Sequence, residues 1–200
     1  MKLFNSQIDI KSFFQKGVKR NKEEFFVGLI TGYQGSGKTY LGLYLLNQLP
    51  NDRTIYTNIR SYKNPKKKVI YFTKIEEILD NYEEYSIFLI DELSKKYMGK
   101  DCKKDNRLYS WLQQSRKTKR YVFLITQEYL QVPSWLRGVA DTIFVTKKVK
   151  FFPIFISYKG LAVLDEETKD WTILPQKRYI YKRTKRIASQ YDTFEPVPSL

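Results

Sequence analysis

The stretch Gly32-Tyr33-Gln34-Gly35-Ser36-Gly37-Lys38-Thr39 fits the spacing G-x-x-x-x-G-K-[ST]. Its glycines let the backbone curl until several amide N–H groups point into one concavity, which suits an anion. The positive end of a following helix adds to that field. Gly32, Gly35, Ser36 and Gly37 form the cradle. Lys38 supplies a mobile cation for the β- and γ-phosphates of a nucleotide such as ATP, and the Thr39 hydroxyl is placed to ligate Mg2+. The flanks agree with this reading. Phe25-Phe26-Val27-Gly28-Leu29-Ile30 reads as a buried strand. Tyr40-Leu41-Gly42-Leu43-Tyr44-Leu45-Leu46 reads as a helix that stops near Pro50.

A second constellation lies downstream. Ser86-Ile87-Phe88-Leu89-Ile90 is an apolar run that ends in Asp91-Glu92. An acid in that place can hold Mg2+ opposite Thr39, directly or through water, so Thr39 and Asp91 form the expected metal pair. Glu92 is then positioned to polarise an attacking water. Tyr121-Val122-Phe123-Leu124-Ile125-Thr126 is another buried strand, and Gln127 follows it as a sensor of the γ-phosphate or of the lytic water. Lys38, Asp91 and Gln127 thus each stand just past a predicted strand.

Short strands are also expected at Thr54–Ile59, Val69–Phe72 and Asp141–Thr146. Thr73-Lys74-Ile75-Glu76 reads as a capping box for a helix reaching about Tyr82. Arg107–Arg116 looks helical, and Pro133–Val139 reads as a short helix. Strands alternating with helices imply right-handed crossovers and a mostly parallel sheet. Apolar runs without alternation mark strands covered on both faces. Ligands in such folds collect at the carboxyl ends of the strands. From Lys150 onward alternation takes over, and residues 151–158, 161–164 and, after a turn, 171–174 predict an antiparallel hairpin at the edge.

The 200 residues suit one domain, and 42% apolar residues can build its core. With 36 Lys+Arg against 21 Asp+Glu, the formal charge is +15. Such an excess points to a polyanionic partner, nucleic acid or an acidic membrane surface; solubility alone is the plainer alternative. One cysteine, Cys102, and no histidine exclude an internal disulfide and a Cys/His zinc site. That usage fits a reducing cytosol. No run reaches the ~20 apolar residues of a membrane span, and the N-terminus lacks the apolar region of a signal peptide. Hydrolysis also needs a cation at the transition state. Arg116, Arg120 and Arg137 are the candidates, with Arg116 preferred on its helix ahead of the Gln127 strand.

Together GYQGSGKT, IFLIDE, an arginine-bearing helix and FLITQ resemble the FtsK–HerA superfamily of DNA-pumping P-loop ATPases. IYTNI, SRKTKRYVFLITQEYLQVPSWLR and the late YDT look most like zonula-occludens-toxin-like and viral genome-packaging ATPases. The resemblance implies an α/β, RecA-like fold of the division with an added strand and a catalytic glutamate. Its mostly parallel central sheet is flanked by helices and followed by a C-terminal antiparallel hairpin. The resemblance covers about residues 25–146 well and the tail loosely. Read along the chain, residues 1–24 are expected as an N-terminal arm or helix, 25–175 as the ATPase domain and 176–200 as a basic C-terminal tail. The resemblance further implies Glu92 as base, Gln127 as sensor and Arg116 as a finger acting in trans within a hexameric ring. That ring would move duplex DNA without sequence choice, in the host cytoplasm or on the virion, beside capsid or virion membrane proteins.

Two departures stand out. These 200 residues are expected to carry neither a transmembrane segment of the kind found in filamentous-phage assembly proteins nor the extra DNA-binding domain of large translocases. Both favour a minimal packaging ATPase. A virion assembly or secretion ATPase and a non-hydrolysing nucleotide-dependent adaptor remain the alternatives. Lys95, Lys96, Lys100, Lys103 and Lys104 after Glu92 form the expected DNA-contacting pore loop.

Overall fold

Successive residues of the central strands feed two different apolar cores, which explains why the sequence does not alternate. The computed structural model describes residues 25–80, 83–93, 97, 103–149, 154–164 and 171–192. In β1 (Phe26–Thr31) every residue is buried. Phe26 and Ile30 join the core beneath helix α1 (Lys38–Leu46), with Leu41, Leu45, Phe123 and Ile125. Val27 and Leu29 join the opposite core, with Phe88, Val122, Trp111 and Leu112. A strand whose two faces are both covered must be apolar throughout.

The sheet has eight strands in the order β3-β2-β4-β5-β1-β6-β7-β8. The remaining elements are β2 (Ile55–Thr57), β3 (Val69–Tyr71), α2 (Glu76–Leu79), β4 (Ile87–Ile90), α3 (Asn106–Gln113), β5 (Tyr121–Thr126), α4 (Ser134–Arg137), β6 (Thr142–Lys148), β7 (Ile154–Leu164), β8 (Trp171–Lys182) and α5 (Lys185–Ala188). Strands β1 to β6 pair in parallel. β6, β7 and β8 pair antiparallel, as expected of the C-terminal hairpin. β5 lies between β1 and β4, so an added strand separates the phosphate-loop strand from the Asp-Glu strand.

Several local expectations change in the folded chain. The boundary expected between residues 175 and 176 falls inside β8, so residues 176–182 continue the sheet. Residues 183–192 pack back onto the domain. Thr184 N–H donates to the Tyr40 hydroxyl at 2.9 Å, and Lys63 N–H donates to Gln190 O at 2.9 Å. The helix after Thr73 is one turn long, and Glu77, not Glu76, reaches back to it: Thr73 Oγ1 and Lys74 N–H donate to Glu77 Oε1 at 2.8 and 3.1 Å. In the basic turn, Lys67 is buried. Its Nζ donates to the carbonyls of Leu46, Leu49 and Pro50 at 3.0, 2.7 and 2.8 Å, which closes the C-terminal end of α1. Residues 1–24 and Lys95, Lys96, Lys100 and Cys102 lie outside the described residues. Among the described residues, no helix is long and apolar enough to cross a membrane.

Candidate nucleotide site

The carboxyl ends of β1, β4 and β5 are adjacent and parallel, so the loops leaving them meet at one edge. The loop after β1 turns into α1 at Gly37, which caps the helix with φ of 90°. A Cβ at Gly37 would meet the Phe155 ring at 2.5 Å, and one at Gly32 (φ 151°) would meet Thr146 and Ser36 oxygens at 2.6 and 2.7 Å. Glycine is therefore required at both positions by conformation and by space. Ser36 Oγ lies 2.7 Å from Thr146 Oγ1, and Thr146 Oγ1 donates to Thr31 O at 3.2 Å. The loop is thus fastened to β6, and through Phe155 to β7.

The chemical groups face one another across that edge. Thr39 Oγ1 donates to Asp91 Oδ2 at 2.7 Å. Gln127 Nε2 donates to Glu92 Oε1 at 3.1 Å. Lys38 Nζ folds back over the loop and donates to Gly32 O at 2.8 Å and Tyr33 O at 3.0 Å. Burial holds the Asp91 carboxyl above its usual range, although the Thr39 hydroxyl acts to lower it. Burial also brings the Lys38 amine below its usual value, against the pull of Asp91 and Glu92. A desolvated carboxylate beside a hydroxyl oxygen is a hard-oxygen pair of the kind that Mg2+ takes together with phosphates. Among the described residues no group of three or more Asp, Glu or Cys forms a metal cage, so this pair would hold such an ion with the help of a bound ligand.

Glu92 has φ of 50°, a conformation uncommon outside glycine. Asn58, absent from the sequence-derived site, clamps this turn. Its Oδ1 accepts from Asp91 N–H at 2.8 Å and its Nδ2 donates to Asp91 O at 2.6 Å. Its local signal was its place in IYTNI, inside the strand expected at Thr54–Ile59; β2 in fact ends at Thr57, and that it lies beside β4 is a fact of topology.

The arginines fare differently. Arg116 stands at the amino edge, lining a cleft of about 280 Å3 with Phe25, Val27 and Asp141. The length of a six-residue strand, about 20 Å, separates it from the phosphate loop of its own chain. Arg120 is fully buried, its guanidinium over the rings of Trp111 and Phe88 at 5.3 and 5.8 Å. Arg137 is also buried, over the ring of Tyr129 at 5.2 Å. Arg120 and Arg137 are therefore built into the fold of their own subunit.

The family model for zonular occludens toxin (Zot) matches residues 26–179. The chain belongs to the Zot family. The match takes in the phosphate loop, the Asp-Glu strand, Gln127 and most of the antiparallel hairpin. The N-terminal domain of zonular occludens toxin from Neisseria meningitidis is 19% identical, with a TM-score of 0.61, covering 84% of this chain and 99% of that one. The genome-packaging NTPase B204 of Sulfolobus turreted icosahedral virus 2, in complex with ATP-gammaS, is 15% identical with a TM-score of 0.52, covering 75% of this chain and 96% of that one. The RadB recombinase is 16% identical with a TM-score of 0.54, covering 80% and 90%. At these identities the likeness is one of fold, and this Zot-family chain has the RecA-like P-loop NTPase fold. No curated protein matches it in sequence.

Proposed function

We propose that this Zot-family chain is a Mg2+-dependent ATPase of the FtsK–HerA type that moves double-stranded DNA through a ring of its own copies. The observation that carries the reading is the meeting of Lys38, Thr39, Asp91, Glu92 and Gln127 at adjacent strand ends, with Thr39 on Asp91 at 2.7 Å and Gln127 on Glu92 at 3.1 Å. Loop amides and Lys38 bind the phosphates, Lys38 exchanging its two carbonyl partners for phosphate oxygens. Thr39 and Asp91 would hold Mg2+, which neutralises charge on the β- and γ-oxygens when bound. Glu92 orients a water and takes its proton, and Gln127 holds the Glu92 carboxylate in place. Arg116 acts on the nucleotide of the next subunit.

The charge of +15 supports a polyanionic track, because phosphate contacts give affinity without sequence choice. The genome-packaging role of B204 supports a nucleic-acid track and a viral setting, and we take the track to be duplex DNA, handled in the host cytoplasm or on the virion. The Zot family match favours one alternative, an ATPase that drives virion assembly or secretion without threading DNA. The Glu92–Gln127 pair argues against a non-hydrolysing adaptor, which needs no oriented base. The deciding experiment is phosphate release with and without duplex DNA across a range of protein concentration. Stimulation by DNA that rises with assembly is expected. Hydrolysis indifferent to DNA selects the assembly role, and none under any condition rejects the enzyme.

A further inference from the structure

We infer that Asn58 is a positioning residue, bolting the backbone of the Asp91–Glu92 turn so that the metal-facing carboxylate and the glutamate are presented together. The inference rests on the reading of that turn as the hydrolytic centre.

Asn58 directly follows β2 and is fully buried. β2 and β4 are parallel neighbours with Thr57 opposite Leu89, so Asn58 meets the chain just as it leaves the ladder. A peptide that departs a buried ladder leaves an N–H and a C=O that must find partners. Asn58 satisfies both at Asp91, accepting at 2.8 Å and donating at 2.6 Å. A side-chain amide is the neutral group that offers an acceptor and a donor in one plane.

The other end of the turn is pinned as well. Leu93 N–H donates to Ile125 O at 3.3 Å on β5. Between these two pins Glu92 adopts its left-handed conformation, and its N–H donates to Asp91 Oδ1 at 2.9 Å. A non-glycine residue stays in such a conformation only where its surroundings impose it. Asn58 holds the upstream side, Ile125 the downstream side, and Gln127 the Glu92 carboxylate itself. A residue serving only to fill the core after β2 would be apolar, as Ile59 is. The amide is there for the two backbone groups it reaches.

The test is Asn58→Asp in the full chain, which keeps the size but sets an oxygen where Nδ2 donates to the Asp91 carbonyl. Two quantities are read: kcat for ATP per nucleotide-binding site, and the tightening of ATP-gammaS binding when Mg2+ is added. A loss of a positioning partner is expected to lower kcat by about 10–100-fold. It should also reduce the Mg2+-dependent tightening, with Mg2+-free affinity little changed. A merely structural Asn58 lowers the thermal midpoint but leaves kcat per site and the Mg2+ effect at wild-type values, and that result overturns the inference. If the wild type does not hydrolyse ATP, the proposed reaction fails while the Mg2+ measurement still decides: loss of the effect in the variant sustains the clamp, and an equal effect in both proteins overturns it. A wild type with no Mg2+ effect and no hydrolysis overturns both. Should Asn58→Asp not fold, Asn58→Ser is read in the same way.

Discussion

At the carboxyl edge of the parallel strands a buried carboxylate, a folded-back lysine and a left-handed glutamate stand together. At the amino edge of the same strands, polar groups tie chain ends to one another. Val27 N–H donates to Asp141 Oδ2 at 2.8 Å, Arg53 Nη1 donates to Lys119 O at 2.8 Å, and Ser86 Oγ donates to Glu83 O at 2.8 Å. Backbone strain is common to both edges, since Tyr85 and Lys119 at the amino edge have φ of 56° and 50° beside 50° at Glu92. The difference is that the amino-edge polar groups bond chain to chain, while Thr39, Asp91, Glu92 and Gln127 meet beside the glycine loop. Arg116 belongs to the amino edge by position, and its proposed task lies at the carboxyl edge of another copy.

The largest expected effect tests that crossing. Arg116→Ala should lower kcat by about 10³–10⁵-fold if it serves as the finger. Mixing it with Lys38→Ala should restore part of the phosphate release, because some interfaces then pair an intact loop with an intact arginine. No recovery on mixing would confine Arg116 to the amino edge. Next, Glu92→Gln should lower kcat by about 10²–10⁴-fold while ATP-gammaS still binds. Unchanged turnover would remove Glu92 as base.

Smaller effects concern stability. Gly37→Ala places a Cβ 2.5 Å from Phe155 at φ of 90°, and should cost about 1–3 kcal/mol in denaturant unfolding. A neutral result would mean that β7 is not pressed on the loop. Smallest is Asp91→Asn, which should raise the thermal midpoint of the nucleotide-free protein by about 2–4 °C at neutral pH. The sign follows from burial. The folded carboxyl titrates above its unfolded value, so the ionised form destabilises the fold at higher pH. The gain should shrink as pH falls through the raised folded value. A gain that stays constant down to acid pH would argue against a desolvated Asp91.

Much of the carboxyl edge was legible because its signals are local. The phosphate loop needs its glycines within eight consecutive positions, and Asp91 and Gln127 each end an apolar run. Charge was harder to read. Lys67, Arg120 and Arg137 count toward +15, yet all three are buried. One closes a helix end and two lie over aromatic rings, so the excess overstates the surface available to a polyanion. The run of β8 past residue 174 was not legible, because Pro175-Gln176-Lys177-Arg178 interrupt the alternation, while pairing with β7 carries the strand on to Lys182.

By itself the sequence determined the cradle at residues 32–39, the acids after β4 and the doubly covered strands, since backbone curvature and apolar runs are properties of neighbours along the chain. Only the tertiary structure decided that Asn58 grips Asp91, that Phe155 crowds Gly37 and that Arg116 stands at the far edge. Strand order brings together residues 33 and 118 positions apart in the first two cases and separates the third. No spacing along the chain encodes which strands become neighbours; packing both faces of one sheet does.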